Sequence, residues 1–418
     1  MNKKRFLILI TLLLLSLTCA FADEENITVK IAVVGPGDEL YFWWGHIALI
    51  IEDLDTDQSF FFDYGVFDFS QDNFFYNFAF GRLLYSCAVS FTPWNIEIYK
   101  HTNRSLVIYT LDLPPNTKKL VRDFAIINVL PENRDYFYHH FNDNCSTRIR
   151  DIINLATDGQ FEEMARAQKS QFTLREHVSR HSWFSPAADW FLSFLLGKEI
   201  DKPITVWEGM FLPSEVGRYI EDFYYTDENN ERHKLVSSID TVLTAKNRPE
   251  VLEKPRSQWH IKFIFSLILS MIFILFFFLY KKKDIRAGRV LAGISISLCG
   301  LFFGSAGLLL YFMSLFTNHD YTYYNMNMFF ITPLLLAAVP LGILYAAAKK
   351  PQKAAKYDKI IRIIWLISAV GVIISMILNI LPSFYQDNLT SQLLVLPIAL
   401  VFAFQPVEFK KWGLNGRK

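Results

Sequence analysis

The chain has 418 residues and a formal net charge of +1, because 42 Lys and Arg residues are balanced by 41 Asp and Glu residues. This balance gives no reason to expect nucleic acid as a partner. Hydrophobic residues make up 52% of the chain, and a change of composition near residue 260 divides it into a mixed first part and a strongly apolar second part.

The N-terminus is typical of a secretory signal peptide. Residues 1–5 are basic, residues 6–18 are apolar, and Ala-Phe-Ala at 20–22 supplies the small residues that signal peptidase reads. A lipoprotein box ending at Cys19 is the alternative, but Thr is a poor residue before such a Cys. We therefore expect residues 1–22 to be a cleaved signal peptide and the following residues to be exported.

The exported part, residues 23–225, is predicted to be an α+β domain with strands first and helices later. Short β-like runs bounded by turn residues predict the strands, which we expect at residues 29–34, 46–52, 59–64 and 105–111. Helical patterns follow at about residues 118–130, after Pro131, at 145–155 and through 161–225. Polar residues 226–260 are expected to form a loop and linker.

The second part contains five apolar runs, at residues 261–280, 290–313, 328–348, 360–381 and 389–404. About 20 helical residues, at about 1.5 Å each, cross a hydrocarbon core about 30 Å thick. The runs therefore predict a five-helix transmembrane domain at residues 261–406, followed by a tail at 407–418.

Lys and Arg residues in the connecting loops predict the orientation of these helices. They occur at residues 281–289, 349–359 and 410–418, whereas the loops at 318–327 and 383–388 contain none. Because Lys and Arg are retained on the cytoplasmic side, we expect the C-terminus in the cytoplasm. Residues 23–260 would then lie in the periplasm of a multi-pass inner-membrane protein.

Cys145 is the first candidate for chemistry. It begins a segment whose apolar residues recur at helical spacing, and Asn144 or Asp143 can cap that helix. A thiol in the first turn of a helix lies at the positive end of the helix dipole, and Arg148 adds positive charge, so both favour the nucleophilic thiolate. The alternatives are a buried inert Cys or a disulfide with Cys87.

His46 is the second candidate, because it follows Gly45 at the start of an extended run. At this position it would act as a general base, and a structural His bonded to a backbone carbonyl is the alternative. Together His46 and Cys145 suggest a thiol–imidazole pair that attacks an acyl carbonyl. No spacing typical of zinc ligands or of a phosphate-binding Gly loop occurs, so we expect no metal and no cofactor.

Several motifs occur in the order found in one known family. They are Gly45-His46, Asp63-Tyr-Gly-Val-Phe-Asp68, Phe78-Ala-Phe-Gly81, Pro131-Glu-Asn133 and Asn144-Cys-Ser-Thr-Arg-Ile-Arg-Asp151. With them the chain resembles the lipoprotein N-acyltransferases of Bacteroides type, which have an Lnb-like periplasmic domain and a five-helix membrane domain. The resemblance extends to the membrane part through His319, Asn325 and Asn327.

The resemblance implies a circularly permuted papain-like (NlpC/P60-related) fold, in which the His precedes the Cys. It makes Cys145 the nucleophile and His46 its base. The family tends to have Asn where this chain has Asp63, so the orienting residue is either Asp63 or Asp68. Either Asn144 or the backbone N–H of Cys145 would bind the oxyanion.

The implied reaction moves an acyl chain from a membrane phospholipid, through a Cys thioester, to the N-terminal Cys amine of a lipoprotein. The partners are therefore a phospholipid donor, a lipoprotein acceptor and the membrane. Two other functions fit the same residues. One is a periplasmic thiol peptidase or amidase, and the other is a non-enzymatic membrane assembly protein with Cys87 and Cys145 joined by a disulfide.

Overall fold

The computed structural model describes residues 26–67 and 73–405. The predicted signal peptide, the C-terminal tail and Asp68 lie outside the described residues. The described chain forms two compact units, each made of three segments. The first unit comprises residues 26–67, Leu83–Ser170 and Thr205–Arg248, and the second comprises residues 73–82, Gln171–Ile204 and 249–405.

The first unit is built on antiparallel β-strands. The strands are β1 (Ile27–Val34), β2 (His46–Asp53), β3 (Gln58–Val66), β4 (Leu83–Phe91), β5 (Leu106–Leu111), β6 (Asp135–Tyr138), β7 (Tyr224–Thr226), β8 (Arg232–Lys234) and β9 (Val236–Leu243). Seven of them form one sheet with the order β6-β4-β3-β2-β1-β5-β9, and β7 and β8 form a separate two-stranded sheet.

The α-helices before the apolar part are short, and many begin at a Pro or a capping residue. They are α1 (Phe74–Ala79), α2 (Thr92–His101), α3 (Pro115–Asn128), α4 (Cys145–Ala156), α5 (Gln160–Ala167), α6 (Leu174–Ser182), α7 (Pro186–Leu195), α8 (Val206–Gly209) and α9 (Pro213–Glu221). Of these, α1, α6 and α7 belong to the second unit and the others to the first.

The central strands of the sheet are buried on both faces. Successive side chains of β2 point to opposite faces, so Ile47 and Leu49 pack with Ile149 and Ile153 of α4 in the main core. Ala48 and Ile50 lie in a smaller cluster that includes Tyr99 of α2. This burial explains why β2 reads as a nearly continuous apolar run, and it holds α4 against the strand that starts at His46.

Residues 226–260, which the sequence predicts to be loop and linker, differ from that expectation. Val236–Leu243 forms β9, whose Ser238 pairs with Thr110 of β5 at the edge of the sheet. Its side chains are mostly exposed, and the solvent face of an edge strand is commonly polar. The apolar alternation that reveals a strand is therefore weak here.

The second unit is helical and contains the apolar part of the chain. Its helices after residue 249 are α10 (Trp259–Lys283), α11 (Arg286–Phe316), α12 (Ala338–Ala347), α13 (Pro351–Leu378) and α14 (Leu389–Ala403). By length and composition α10, α11 and α13 can cross a membrane, and two shorter apolar helices, Pro333–Ala347 and Leu389–Ala403, accompany them in the described chain. The protein thus combines a sheet-rich N-terminal domain with a helical C-terminal domain.

The division into units does not follow the boundaries expected from the sequence. α7, which we expected in the exported domain, places Trp190 and Phe194 in one core cluster with Phe273 and Phe330. The residues of α7 group with the apolar helices because their aromatic side chains pack against the buried side chains of those helices. The domain limits drawn from composition therefore separate residues that pack together.

Candidate active site

His46 is the first residue of β2 and follows Gly45, whose φ is +82°. This left-handed conformation favours glycine, and a Cβ at Gly45 would lie 2.7 Å from the carbonyl oxygen of Val34. His46 lies on the same face of the sheet as Ala48, which is paired in register with Asp63 of β3. Strand alternation and register therefore bring the two side chains together, with Nε2 of His46 3.0 Å from Oδ1 of Asp63.

The chain after Asp63 closes around the imidazole. Oδ1 of Asp63 accepts a hydrogen bond from the backbone N–H of Gly65 at 2.7 Å, and the ladder between β3 and β4 is irregular between Asp63 and Val66. A Cβ at Gly65 would lie 2.8 Å from Cε1 of His46. Gly65 is therefore required for the close approach of backbone and ring.

We expect Gly65→Ala to lower activity while leaving the fold intact. The new methyl group must push the His46 ring aside, and a misplacement of about 1 Å at a catalytic group can cost about a hundredfold in rate. The measurement is the catalytic rate together with the thermal unfolding midpoint. Gly35→Ala, whose Cβ would meet only Ser105 at 3.2 Å, is the control and should retain activity; equal losses in both variants would contradict the prediction.

Cys145 is the first residue of α4, and Asn144 caps that helix. The Asn144 Oδ1 accepts hydrogen bonds from the backbone N–H groups of Ser146 and Thr147 at 2.8 and 2.9 Å, and the Thr147 hydroxyl accepts one from Asn144 N–H at 2.8 Å. This reciprocal capping fixes the first turn. Over residues 26–67 and 73–405, no hydrogen bond from the Cys145 backbone N–H is observed, so this donor is available at the helix N-terminus.

The charges of His46 and its neighbours favour an ionised site. Burial alone lowers the pKa of His46, but the charges of Asp63 and Cys145 raise it to about 10. Burial likewise raises the pKa of Asp63, but the charge of His46 and the hydrogen bond from the Gly65 N–H lower it below its usual value. The structure therefore brings His46 beside Asp63 and into electrostatic contact with Cys145, and it favours the imidazolium form of His46 next to the Asp63 carboxylate.

Three tyrosines also lie near Cys145, and the sequence did not single them out. Burial raises the pKa of Tyr85 to about 12, with a further contribution from the charge of Cys145, and the same two causes raise the pKa of Tyr136 and Tyr138. Tyr85 and Tyr138 stack with ring centroids 4.2 Å apart. The available signal was the two-residue spacing of Tyr136 and Tyr138, which places both on one face of a strand just before α4.

The comparisons with known proteins cover both parts of the chain. A family model described as the Lnb N-terminal periplasmic domain matches residues 20–180, and one described as the Lnb transmembrane domain matches residues 256–406. The chain belongs to the Lnb family. No curated protein and no solved structure matches the chain.

Membership in the Lnb family indicates a membrane protein of lipoprotein biosynthesis and implies that it modifies lipoproteins. It also indicates an inner-membrane protein with a periplasmic N-terminal domain. His46, Asp63 and Cys145 all fall within the match to the Lnb periplasmic domain. The site described above therefore lies in the periplasmic part of an Lnb protein.

Two other candidate residues of the Lnb periplasmic domain are engaged elsewhere. The Arg148 guanidinium binds the Asp143 carboxylate through two hydrogen bonds of 2.6 and 2.7 Å. The Asn144 amide donates to the carbonyl oxygens of His140 and Phe211 at 2.8 and 3.0 Å. Because both amide hydrogens of Asn144 are used, its side chain does not offer a free donor to an oxyanion.

The candidate residues of the Lnb transmembrane domain hold backbone segments together. Asn325 donates to the Phe194 carbonyl oxygen at 2.9 Å and Asn327 donates to the same oxygen at 3.0 Å, at the end of α7. The last carbonyl groups of a helix lack partners within it, so these amides satisfy them. The buried His319 contacts the Phe78 carbonyl oxygen at 3.2 Å. These contacts give the three residues a structural role.

Proposed function

We propose that this protein is a lipoprotein N-acyltransferase with Cys145 as nucleophile, His46 as acid and base, and Asp63 as the orienting residue. The acyl donor is a membrane phospholipid, and the acceptor is the α-amine of the N-terminal Cys of a lipoprotein. The observation that supports the proposal is that His46 lies 3.0 Å from Asp63 and interacts electrostatically with Cys145, the first residue of a capped helix.

In the first half of the reaction the Cys145 thiolate attacks an ester carbonyl of the phospholipid. A sulfur–carbon bond forms, the carbon–oxygen bond to the glycerol breaks, and the His46 imidazolium gives its proton to the departing alkoxide. The raised pKa of His46 supports this role, because an imidazolium that persists at neutral pH is ready to act as the acid. The products are a lysophospholipid and a thioester on Cys145.

In the second half the lipoprotein amine attacks the thioester. The neutral His46 imidazole takes a proton from the amine, a carbon–nitrogen bond forms, and the Cys145 thiolate leaves as the amide is released. The amine is a better nucleophile than water. Because enzyme and acceptor are both anchored in the membrane, the effective concentration of the amine at the thioester is also high.

The oxyanion of each tetrahedral intermediate would be bound by the backbone N–H of Cys145. The N-terminus of a helix is an anion-binding site, since its first N–H groups lack partners within the helix and the dipole adds positive charge. The Asn144 amide already donates both of its hydrogens to backbone carbonyl oxygens. This favours the backbone N–H of Cys145 over the Asn144 side chain as the oxyanion donor.

We also propose that the periplasmic domain has the circularly permuted papain-like fold. In support, a His at the start of a strand precedes, along the chain, a Cys at the start of a helix, and that helix packs against the same strand through Ile47 and Ile149. A disulfide-bonded assembly protein is less well supported, because Cys87 and Cys145 are both free thiols.

The test of the function is direct transfer by the purified protein. With phosphatidylethanolamine and a synthetic lipopeptide carrying an N-terminal diacylglyceryl Cys, we expect a product whose mass increases by one acyl chain on nitrogen. Cys145→Ala should form none, because the thioester cannot be made. Cleavage of the peptide without any acyl transfer would instead identify a thiol peptidase and overturn the proposal.

We further propose that five helices cross the membrane and that the C-terminus lies in the cytoplasm. The basic residues at 281–289 and 349–359, with none in the loops at 318–327 and 383–388, support this orientation. Alkaline phosphatase fused after Lys418 should be inactive, whereas a fusion at Asn318 should be active, since the enzyme matures only in the periplasm. The opposite pattern would contradict the topology.

A further inference from the structure

The second unit contains a cavity of about 730 Å³ bounded by α7, α10, α11 and α14. Its size falls within the range of about 300–1,000 Å³ that is usual for small-molecule sites. Phe265 and Phe302 line it and are each 54% exposed, so the cavity opens to the surface of this unit among helices that are apolar enough to cross a membrane.

The walls of the cavity are apolar, and their polar atoms already have partners. The Trp190 indole N–H donates to the Ser391 hydroxyl at 3.1 Å, and the Ser295 hydroxyl donates to the Leu291 carbonyl oxygen at 2.9 Å. With its polar wall atoms satisfied, the cavity offers mainly dispersion and hydrophobic contact. An aliphatic chain fits these walls, because each buried CH₂ contributes about 0.8 kcal/mol.

Lys262 is the charged residue among those that line the cavity. Its ammonium donates to the neutral side-chain oxygen of Gln258 at 2.8 Å and forms no ion pair with a carboxylate of the described residues. The charge of Asp189 on α7 acts on this ammonium without a direct ion pair, so the ammonium can still form a charge-assisted contact with an anionic group of a ligand. The chemistry thus pairs an apolar chain with a phosphate.

The depth of the cavity matches one leaflet of a bilayer. Lys262 lies in the first turn of α10, and Phe273, which also lines the cavity, lies eleven residues further along, or about 16 Å at 1.5 Å per residue. This is about half of a hydrocarbon core about 30 Å thick. Because α10 follows the periplasmic domain in the chain, the Lys262 end faces the periplasmic leaflet.

We propose that this cavity binds a glycerophospholipid of the periplasmic leaflet, with one acyl chain along its walls and the phosphate on Lys262. The diacylglyceryl group of a lipoprotein has acyl chains but no phosphate, so the ammonium selects the phospholipid. The inference rests on the proposed function for the role of this lipid as acyl donor. Binding itself is tested apart from transfer.

The experiment uses the full-length Cys145→Ala protein in nanodiscs, because this variant cannot transfer an acyl chain and labelling then reports binding alone. The probe is phosphatidylethanolamine with a diazirine in one acyl chain, and the matched probe is a diacylglycerol with the same chain. After irradiation, mass spectrometry should place the phosphatidylethanolamine label mainly on α10 and α11 residues that line the cavity, such as Phe265 and Phe302.

Two changes separate the charge from the cavity. Lys262→Gln should lower the phosphatidylethanolamine labelling about tenfold relative to diacylglycerol, as expected for the loss of a charge-assisted contact, and Lys262→Arg should restore it. Ala187→Trp should reduce labelling by both probes, because it fills the cavity, whereas Ala287→Trp, at an exposed alanine that does not line it, should not.

The label could instead be spread over the exposed residues of all apolar helices, including α13, and remain unchanged in Ala187→Trp. That result would show contact with surrounding bilayer lipid only and would overturn the site. Equal labelling by the two probes in the Cys145→Ala protein that retains Lys262 would overturn the phosphate contact. Either result leaves acyl transfer by the wild-type protein measurable. Conversely, selective labelling with no transfer by the wild type would uphold the site and defeat the proposed function.

Discussion

Purified protein incubated with radiolabelled phospholipid alone should retain a label that neutral hydroxylamine releases. The label is the acyl chain held as a thioester on Cys145, which accumulates because no lipoprotein amine is present to accept it. Two features favour its formation: the backbone N–H of Cys145 at the helix N-terminus, which can bind the oxyanion, and the His46 imidazolium, which can protonate the leaving alkoxide.

The effect of removing either group should be large. Cys145→Ser should reduce turnover by at least about a thousandfold, because a hydroxyl is far less ionised than a thiol near neutral pH and the catalytic groups act as a unit. His46→Ala should leave Cys145 unlabelled, because the alkoxide then lacks its proton donor.

Cys87→Ser is the matched control for the trapping experiment. Cys87 is a second buried thiol of the same sheet domain, and burial raises its pKa to about 12, so it remains a protonated and unreactive thiol near neutral pH. Its substitution should leave both label and turnover nearly unchanged. Label retained by Cys145→Ala, or an active wild type that never holds label, would exclude the covalent mechanism.

The local structure around both reactive residues was predictable from the sequence. The Gly45-His46 pair marked the start of a strand, and β2 begins at His46 as expected. The Asn-Cys pair marked the start of a capped helix, and α4 begins at Cys145 with Asn144 as its cap. In both cases a residue with a defined local preference lies beside the reactive side chain, and such preferences act within a few residues.

The pairing between distant residues was not predictable in the same way. The sequence left Asp63 and Asp68 as alternatives, because choosing between them requires the register of β2 and β3. The backbone pairing of Ala48 with Asp63 supports Asp63, and Asp68 lies outside the described residues. The partners of α7 were left undetermined for a related reason, since a Trp and Phe pattern shows that a face is buried but not against which surface.

Asp63→Asn should lower acyl transfer about a hundredfold at neutral pH, within the range for a positioned acid or base. The Asp63 charge is the largest of the influences that raise the pKa of His46, and burial opposes it. Without that charge the pKa of His46 falls, the imidazolium loses its proton at lower pH, and the orientation of the ring is less fixed. The alkaline limb of the pH–rate profile for thioester formation should therefore move to lower pH.

The pKa shifts of His46 and Asp63 also determine how the stability of the fold depends on pH. The raised pKa of His46 contributes stability that is fully present below its unfolded value of about 6.5 and is lost as the pH rises through about 10. The lowered pKa of Asp63 contributes stability that is present above its unfolded value of about 3.9 and is lost as the pH falls through its folded value. Both partners are thus charged near neutral pH, where Asp63→Asn should lower the unfolding midpoint most.

Asp227→Asn provides the matched control, because Asp227 forms a second His–Asp contact outside the candidate site. It lies 3.2 Å from His233, in the hairpin that joins β7 and β8. The substitution should leave the pH–rate profile in place even if the unfolding midpoint changes. An alkaline limb that moves equally in the two variants, or an Asp63→Asn protein with wild-type transfer, would remove Asp63 from the site. A shift confined to Asp63→Asn would instead identify the carboxylate that keeps His46 protonated beside Cys145.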